Sequence, residues 1–449
     1  MAGLAFLRHR RAKRFNLFLA AVLAFLGTLA VAVLLWPLIG FALHGFWTWG
    51  LPPGETTRAE ATRIVLTITA GAGGVVALTV AYRKQNVLEQ GRFMDSLAIA
   101  TRQLGDHEAT VQFAGIYSLS ALADESDGAR RQLCVDMLCA YLRLPYAPQH
   151  GSSLLQEAVH RRTWHHARGS VEDTNTYRVR PADREVRLTI IREITNHLRP
   201  DATVSWSGLD LDFTGATFDG GSFEGARLTG GRISFSKANF TADTVSFRRA
   251  EITGGAVSFE EAYFSGGNVS FADTKFRGGS VSYYGARFTG SRTSFRGAKF
   301  SGSDVSFEAA TFNAGNIAFD SVEFAAGHIA FDGAVFKGSR VSFSGANFKG
   351  SRVSFEGAEF KDGRVRFALS KFTGGNVYFD EAEGGTKPGV LSFQRPAIWG
   401  SPPSVPWDSS TVPVWVWPSQ WPPEIHHSGT NLVRDQAAGT IRDDGQYAL

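Results

Sequence analysis

The chain has 449 residues, of which 43% are hydrophobic, and a formal net charge of +4. That length allows about two to four domains, and so small a charge gives no global attraction to nucleic acid. Its 2 cysteines exclude a disulfide framework, while 35 Phe and 49 Gly point to a repeat rather than an ordinary globule.

Residues 1–14 are basic, with Arg8, Arg10, Arg11, Lys13 and Arg14. Phe15 to Ile39 then carries no charge, and neither does Ile64 to Tyr82. About 20 apolar residues cross a bilayer as a helix. The first stretch is too long for a signal-peptide core and lacks a clear small-x-small cleavage site. The expectation is a transmembrane hairpin over 15–82, with spans at 15–39 and 64–82. Arg83, Lys84 and Arg92 follow the second span. Basic flanks mark the cytoplasmic side, so a two-pass cell-membrane protein with both termini cytoplasmic is expected, with membrane lipid as its first partner. Trp36, Trp47 and Trp49 suit the far interface. Ala70 to Gly74 are all small, which suits packing against the first span or against a second copy. They are no nucleotide loop, since Val76 stands where the dinucleotide fingerprint needs its third Gly.

From 83 to 200 the period becomes helical, and an α-helical neck is expected. Phe93, Leu97, Ala100 and Leu104 form one stripe, and Val111, Gly115, Leu119 and Leu122 a second. Leu133, Met137, Leu138, Tyr141 and Leu142 form a third, and Val186, Ile190, Ile191, Ile194 and Leu198 a fourth. Cys134 and Cys139 read as core thiols. The stretch His160 to Arg168 reads as a solvated basic loop, with contact to anionic lipid as its functional version.

The repeat occupies 201–395. Bulky residues stand at 213, 218, 223 and 228, in steps of five. From Leu228 to Phe379 every step is seven or five, in strict alternation. Two residues before nearly every bulky position stands a small or β-branched residue, as at Ala346 and Val341, and the residue between is usually polar, as at Asn347 and Ser342. In-out-in over three residues is a very short strand with two inward side chains. Gly338 and Gly350 follow, where a corner would need positive φ.

These units resemble the pentapeptide-repeat family, whose motif is a small residue, a polar residue, a central Leu or Phe and two mostly polar residues. "ATFDG", "ARLTG", "ANFKG" and "AEFKD" carry the resemblance. It implies a right-handed quadrilateral β-solenoid with four units per turn. Alternate units here hold two extra residues, read as bulges at alternate corners. Two sevens and two fives then make one coil of about 24 residues, within the range of periods that mark solenoids. Phe288, Phe312, Phe336 and Phe360 form one core ladder, and Phe295, Phe319, Phe343 and Phe367 another. About 7 coils at about 4.8 Å give a rod roughly 35 Å long. A Pro- and Trp-rich cap is expected over 396–425, partly lying back on the rod, and a disordered tail over 426–449. The arrangement of hairpin, neck and solenoid resembles pentapeptide-repeat membrane proteins of actinobacteria, with "FAGIYSLSALADES" and "LCVDMLCAYLR" as the neck motifs.

The motifs of nucleotide, metalloprotease, thiol and serine-hydrolase sites are absent. No catalytic residue, cofactor or metal is assigned, and a non-enzymatic scaffold for an unidentified protein partner is expected. The column Arg292, Asn316, Arg340 and Arg364 gains positive charge toward its end and reads as a solvated edge or as a face for an acidic partner. A serine column that includes Ser234, Ser246, Ser258, Ser342 and Ser354 is expected to hydrogen-bond along the stack. A regulator that assembles with other membrane helices is the alternative. Some members of the family mimic DNA and act on gyrase, which needs a strongly acidic rod. Residues 208 to 383 hold 20 acidic and 19 basic side chains, so no nucleic-acid role is expected.

Overall fold

The computed structural model describes residues 55–146, 157–166, 169–178, 182–387 and 390–425, with positions 27 and 148 in isolation. The basic N-terminus, the first expected span and the expected tail lie outside the described residues. Residues 1–96 and 97–449 form two compact units. The second expected span is helical, within α1 (Glu55–Leu104), which runs 50 residues through the expected boundary at 83. No proline interrupts that sequence. Among the described residues no helix is long and apolar enough to cross a membrane.

In the second unit the last turns of α1 are followed by α2 (Ala109–Asp124), α3 (Gly128–Leu142) and α4 (Asp183–Leu198). The buried face of α2 is Gly115, Ile116, Leu119 and Ala123, with Gln112 and Ser120, so Val111 and Leu122 lie off the expected stripe. Gly115 sits against the end of α1, where an added Cβ would come 2.4 Å from the Leu104 amide nitrogen. Cys134 and Cys139 are free and buried in α3. Burial pushes the two thiols up to about 11 and about 12.

The neck is not wholly helical. Residues 160–166, expected as a loop, belong to β1 (Glu157–His166), which pairs antiparallel with β2 (Gly169–Arg178). Arg162 stands opposite Asp173, and Trp164 opposite Val171. Thr163, Trp164, Thr174, Thr176 and Tyr177 are residue types that suit a pleated ribbon. A reading by charge alone passed over them.

A buried polar network ties α2, α3 and α4 together. The Arg187 guanidinium meets Asp183 at 3.0 Å and donates to the carbonyls of Leu142 and Leu144 at 2.9 and 3.0 Å. Tyr141 donates to Asp183 at 2.6 Å, and Gln112 donates to the Tyr141 hydroxyl at 3.0 Å. Arg187 is thus buried with its charge and several of its donors met, which is what makes a buried cation tolerable.

The solenoid follows from two kinds of step. From Leu228 onward a five-residue step makes a tight turn and carries the chain from one sheet to the other, as between Ser246 and Glu251. A seven-residue step stays within one sheet and kinks it. The strands Lys299–Ser306 and Val335–Ser342 run straight through such a step, with register shifts after Phe300 and Phe336. These are the expected bulges. A coil takes about 24 residues, as expected. Neighbouring layers are parallel, and each ladder ring pairs with the one a coil further on: Phe288 with Phe312, Phe312 with Phe336, and Phe336 with Phe360.

Inside, the rings stack. Phe288, Phe312, Phe336 and Phe360 have centroids 4.8, 4.8 and 5.0 Å apart and lie within 9° of parallel. Phe295, Phe319, Phe343 and Phe367 are spaced 4.7, 4.8 and 4.7 Å. A further column, through Phe331 and Phe355, meets the second edge-on, with Phe331 5.8 Å from Phe343 at 82°. Parallel stacking along the axis and edge-to-face contact across it both suit the ring quadrupole.

Every tight turn places one residue at left-handed φ. The position recurs at each half coil, from Lys237 through Arg249, Glu261 and Asp273 to Leu369 and Glu381. The serine column serves these turns. Ser246, Ser258, Ser282, Ser294, Ser306 and Ser354 each accept from the backbone N–H two residues ahead, at 3.2 to 3.3 Å. This corrects the expected bonding along the stack, which occurs at few places, such as Ser236 with Ser258 at 2.8 Å. A hydroxyl beside a turn finds its own backbone sooner than the next layer. The two quoted glycines also differ. Gly338 has φ +88°, whereas Gly350 lies outside the left-handed region and is needed for closeness: an added Cβ would sit 2.5 Å from the Ala325 carbonyl oxygen.

The rod is longer than expected, at about 9 turns. Leu211–Asp212 already pairs with the Ile233 layer. Beyond Phe379 the chain adds Leu391–Ser392, Ile398–Trp399 and then Val416–Trp417, which pairs with Leu391–Ser392. The Trp-rich segment therefore extends the stack and does not fold back along it. At the other end α4 covers the first coil, with the Thr195 hydroxyl donating to the Ser222 carbonyl at 2.7 Å. Ile191 fills the space over Gly221, where an added Cβ would lie 2.9 Å from its Cδ1.

Candidate interaction surfaces

The ladder phenylalanines are at most 1% exposed, so the rod encloses no room for a substrate, and any function lies outside. The expected column is real. Arg292 pairs in register with Asn316, Asn316 with Arg340, and Arg340 with Arg364. All four are exposed, because each precedes an inward Thr, Ile or Val on a short strand. None of the three arginines has an ion-pair partner among the described residues. The column is therefore a row of unneutralised guanidinium groups on a stiff backing.

A second column went unread in the sequence. From Phe259 onward the residue after each ladder ring at one of the two turn edges is Glu260, Tyr284, Glu308, Asp332, Glu356 and Asp380. Inward phenylalanines one coil apart stack, as Phe307, Phe331, Phe355 and Phe379 do, so these carboxylates occupy successive layers. None of Glu308, Asp332, Glu356 and Asp380 is ion-paired among the described residues. Asp332 accepts from the Glu356 amide at 3.1 Å, and Asp380 from the Ser404 hydroxyl at 3.1 Å. Reading every residue that follows a ladder phenylalanine would have revealed it.

A groove of about 490 Å³ lies where Arg199 to Asp201 meet the first coils. Four of its charged side chains pair among themselves, Arg249 with Glu224 at 3.7 Å and Arg227 with Glu251 at 3.8 Å, and Arg199, Asp201 and Lys275 line it as well. Nearby, Arg184 meets the buried Asp219 at 3.1 Å, and Tyr146 donates to the same carboxylate at 2.7 Å. Burial and that bond to Asp219 push the Tyr146 hydroxyl up. Asp212 is held below the usual carboxylate range although burial opposes it, by hydrogen bonds from Thr214 and by Arg143 at 2.9 Å. Among the described residues no group of three or more His, Cys, Asp or Glu could hold a metal ion.

Parallel layers at a constant period, aromatic ladders within and turns of fixed spacing define a β-solenoid repeat protein. Residues 209–251 and 331–383 match pentapeptide repeats, in 9 copies, so the rod is a pentapeptide-repeat solenoid. No curated protein and no solved structure matches the chain.

Proposed function

We propose that the protein is a non-enzymatic, membrane-anchored scaffold whose rod holds a rigid charged surface toward a protein partner in the cytoplasm. The column Arg292, Asn316, Arg340 and Arg364 carries this reading. Its side chains stand one layer apart, with the three arginines unpaired among the described residues, and solenoids characteristically bind through such extended faces. The anchor is supported by the uncharged stretches 15–39 and 64–82 and by α1 itself, where Leu66, Val75, Leu78 and Tyr82 are 64 to 75% exposed. Exposed apolar side chains in such number on one helix call for apolar surroundings.

A regulator that assembles with other membrane helices is the second reading. It is favoured by Gly71, Gly73 and Gly74, beside which nothing lies within 4 Å and against which another helix could pack closely.

The test uses the full chain with a proximity label fused after residue 425. Alkaline carbonate should leave the chain in the membrane pellet, and release into the supernatant would overturn the anchor. Arg340→Glu with Arg364→Glu should remove a discrete set of labelled neighbours. An unchanged set would overturn the role of the column.

A further inference from the structure

The basic column and the acidic edge share a rise, a residue period and, pair by pair, a coil. Arg292 and Glu308 lie in one turn of the solenoid, as do Asn316 and Asp332, Arg340 and Glu356, and Arg364 and Asp380. The members of each pair stand two thirds of a coil apart along the chain. The ladders fix both columns at the layer spacing, 4.8 and 5.0 Å between the rings of Phe312, Phe336 and Phe360. Neither column is neutralised within its own chain among the described residues.

We propose that the acidic edge of one copy docks on the basic column of a second copy, with the two rods side by side and parallel. At equal height every layer then finds a partner: three guanidinium–carboxylate pairs and one in which the Asn316 amide donates to Asp332. A carboxylate accepts a guanidinium fork in two parallel hydrogen bonds, which rewards this register over a slipped one. Parallel rods at one height are what anchoring in a common membrane produces. The inference thus rests on the scaffold reading and names the occupant of its column. The contact is heterologous, column to edge, so each copy keeps a free edge and a free column, and copies form rows or closed rings rather than simple pairs. Solvent-exposed pairs of this kind are weak singly and screened by salt. Confinement to a surface supplies the effective concentration that makes several act together.

The test is disulfide trapping of the full chain in vesicles. One copy carries Arg340→Cys and the other Glu356→Cys. The native Cys134 and Cys139 are buried and contribute no background. Cross-linking between the two variants is expected at about 0.05 M salt and should fall several-fold at about 0.5 M. Chains that carry Arg340→Glu and Arg364→Glu should lose association with one another, and adding Glu356→Arg and Asp380→Arg to the same chain should restore it. Absence of cross-links at low salt, with the chain still in the membrane, would overturn the proposal. If Arg340→Glu with Arg364→Glu removes labelled foreign proteins while the Arg340→Cys and Glu356→Cys chains fail to cross-link, the scaffold reading stands and this inference falls. A column that instead retains an anionic oligonucleotide in preference to a second copy would likewise overturn it.

Discussion

Trp415 lies over Phe360, the ring centroids 5.7 Å apart and 10° from parallel. It takes the place of the ladder side chain that Gly384, the next residue in register, does not have: an added Cβ at Gly384 would fall 2.0 Å from the indole. The last open ladder is thus closed by a residue supplied from beyond the following coil. Trp415→Ala is expected to cost about 3–5 kcal/mol, the range for emptying a large aromatic site. It should also uncover the end of the stack. Chemical denaturation followed by ring absorbance measures the first effect and light scattering the second. An unchanged midpoint would show that the ladder closes without the indole.

Tyr283 is the one tyrosine among the ladder rings, 4.7 Å from Phe259 and 4.6 Å from Phe307. It is fully buried, and its hydroxyl has no hydrogen-bond partner. Tyr283→Phe should therefore stabilise the rod by about 1–2 kcal/mol, the cost of an unmet buried hydroxyl. Burial also raises its ionisation well above 10. Above pH 10 the unfolded phenol loses its proton while the folded one keeps it, so the wild type should lose stability as the pH rises further. The Phe variant should lose less over pH 10–11. Parallel pH curves for the two would contradict the buried, unpartnered hydroxyl.

Leu369 holds the left-handed turn position with φ 55° and is 47% exposed. Gly345 holds the same position one coil earlier, with φ +67° and no atom closer than 3.6 Å to an added Cβ. An L residue other than Gly is strained there by about 1–2 kcal/mol. Leu369→Gly is expected to raise stability by about 1 kcal/mol, and Gly345→Leu to lower it by a similar amount. Denaturation midpoints compare the two directly. A loss from both would mean that the Leu369 side chain contributes more than its backbone costs.

Arg187→Ala should destabilise the neck by about 3–5 kcal/mol, since it leaves the Asp183 carboxylate buried without its partner. Replacing both, Arg187→Leu with Asp183→Leu, should cost less than the single change. Hydrogen exchange at α4 amides reads the effect apart from that of the distal rod. A double loss equal to the sum of the Arg187→Leu and Asp183→Leu losses would show that the two side chains act independently.

The stacking was legible from phenylalanine spacing, because inward aromatics leave a rigid arithmetic trace in the chain. The bulges were legible for the same reason, as two extra residues in every second unit. Less visible was what each turn demands. Lys237, Arg249 and Leu369 carry no signature of left-handed backbone, so the half-coil rhythm of the turns appears only in the dihedral angles. The hairpin of β1 and β2 was hidden behind its charges. The basic column could be foreseen since its residues sit at a fixed offset from Val or Ile. The acidic edge could have been, at the offset after Phe, but its members look singly like ordinary surface acids. That Trp415 would fill the gap at Gly384 depended on a loop path that no local pattern sets.

The two sheets have one and the same internal plan, so the smallest interchangeable piece of the rod is half a coil. Removing a whole coil would shorten the protein by one step and leave every surface feature on its original side. Removing half of one would keep the interior just as well filled, yet swing everything beyond the cut around to the far side of the axis. Arg364 and Asp380 would then face away from Arg340 and Glu356. Duplication and loss of short segments can thus re-aim this protein's charges like a dial with two stops, at almost no cost to the packing beneath.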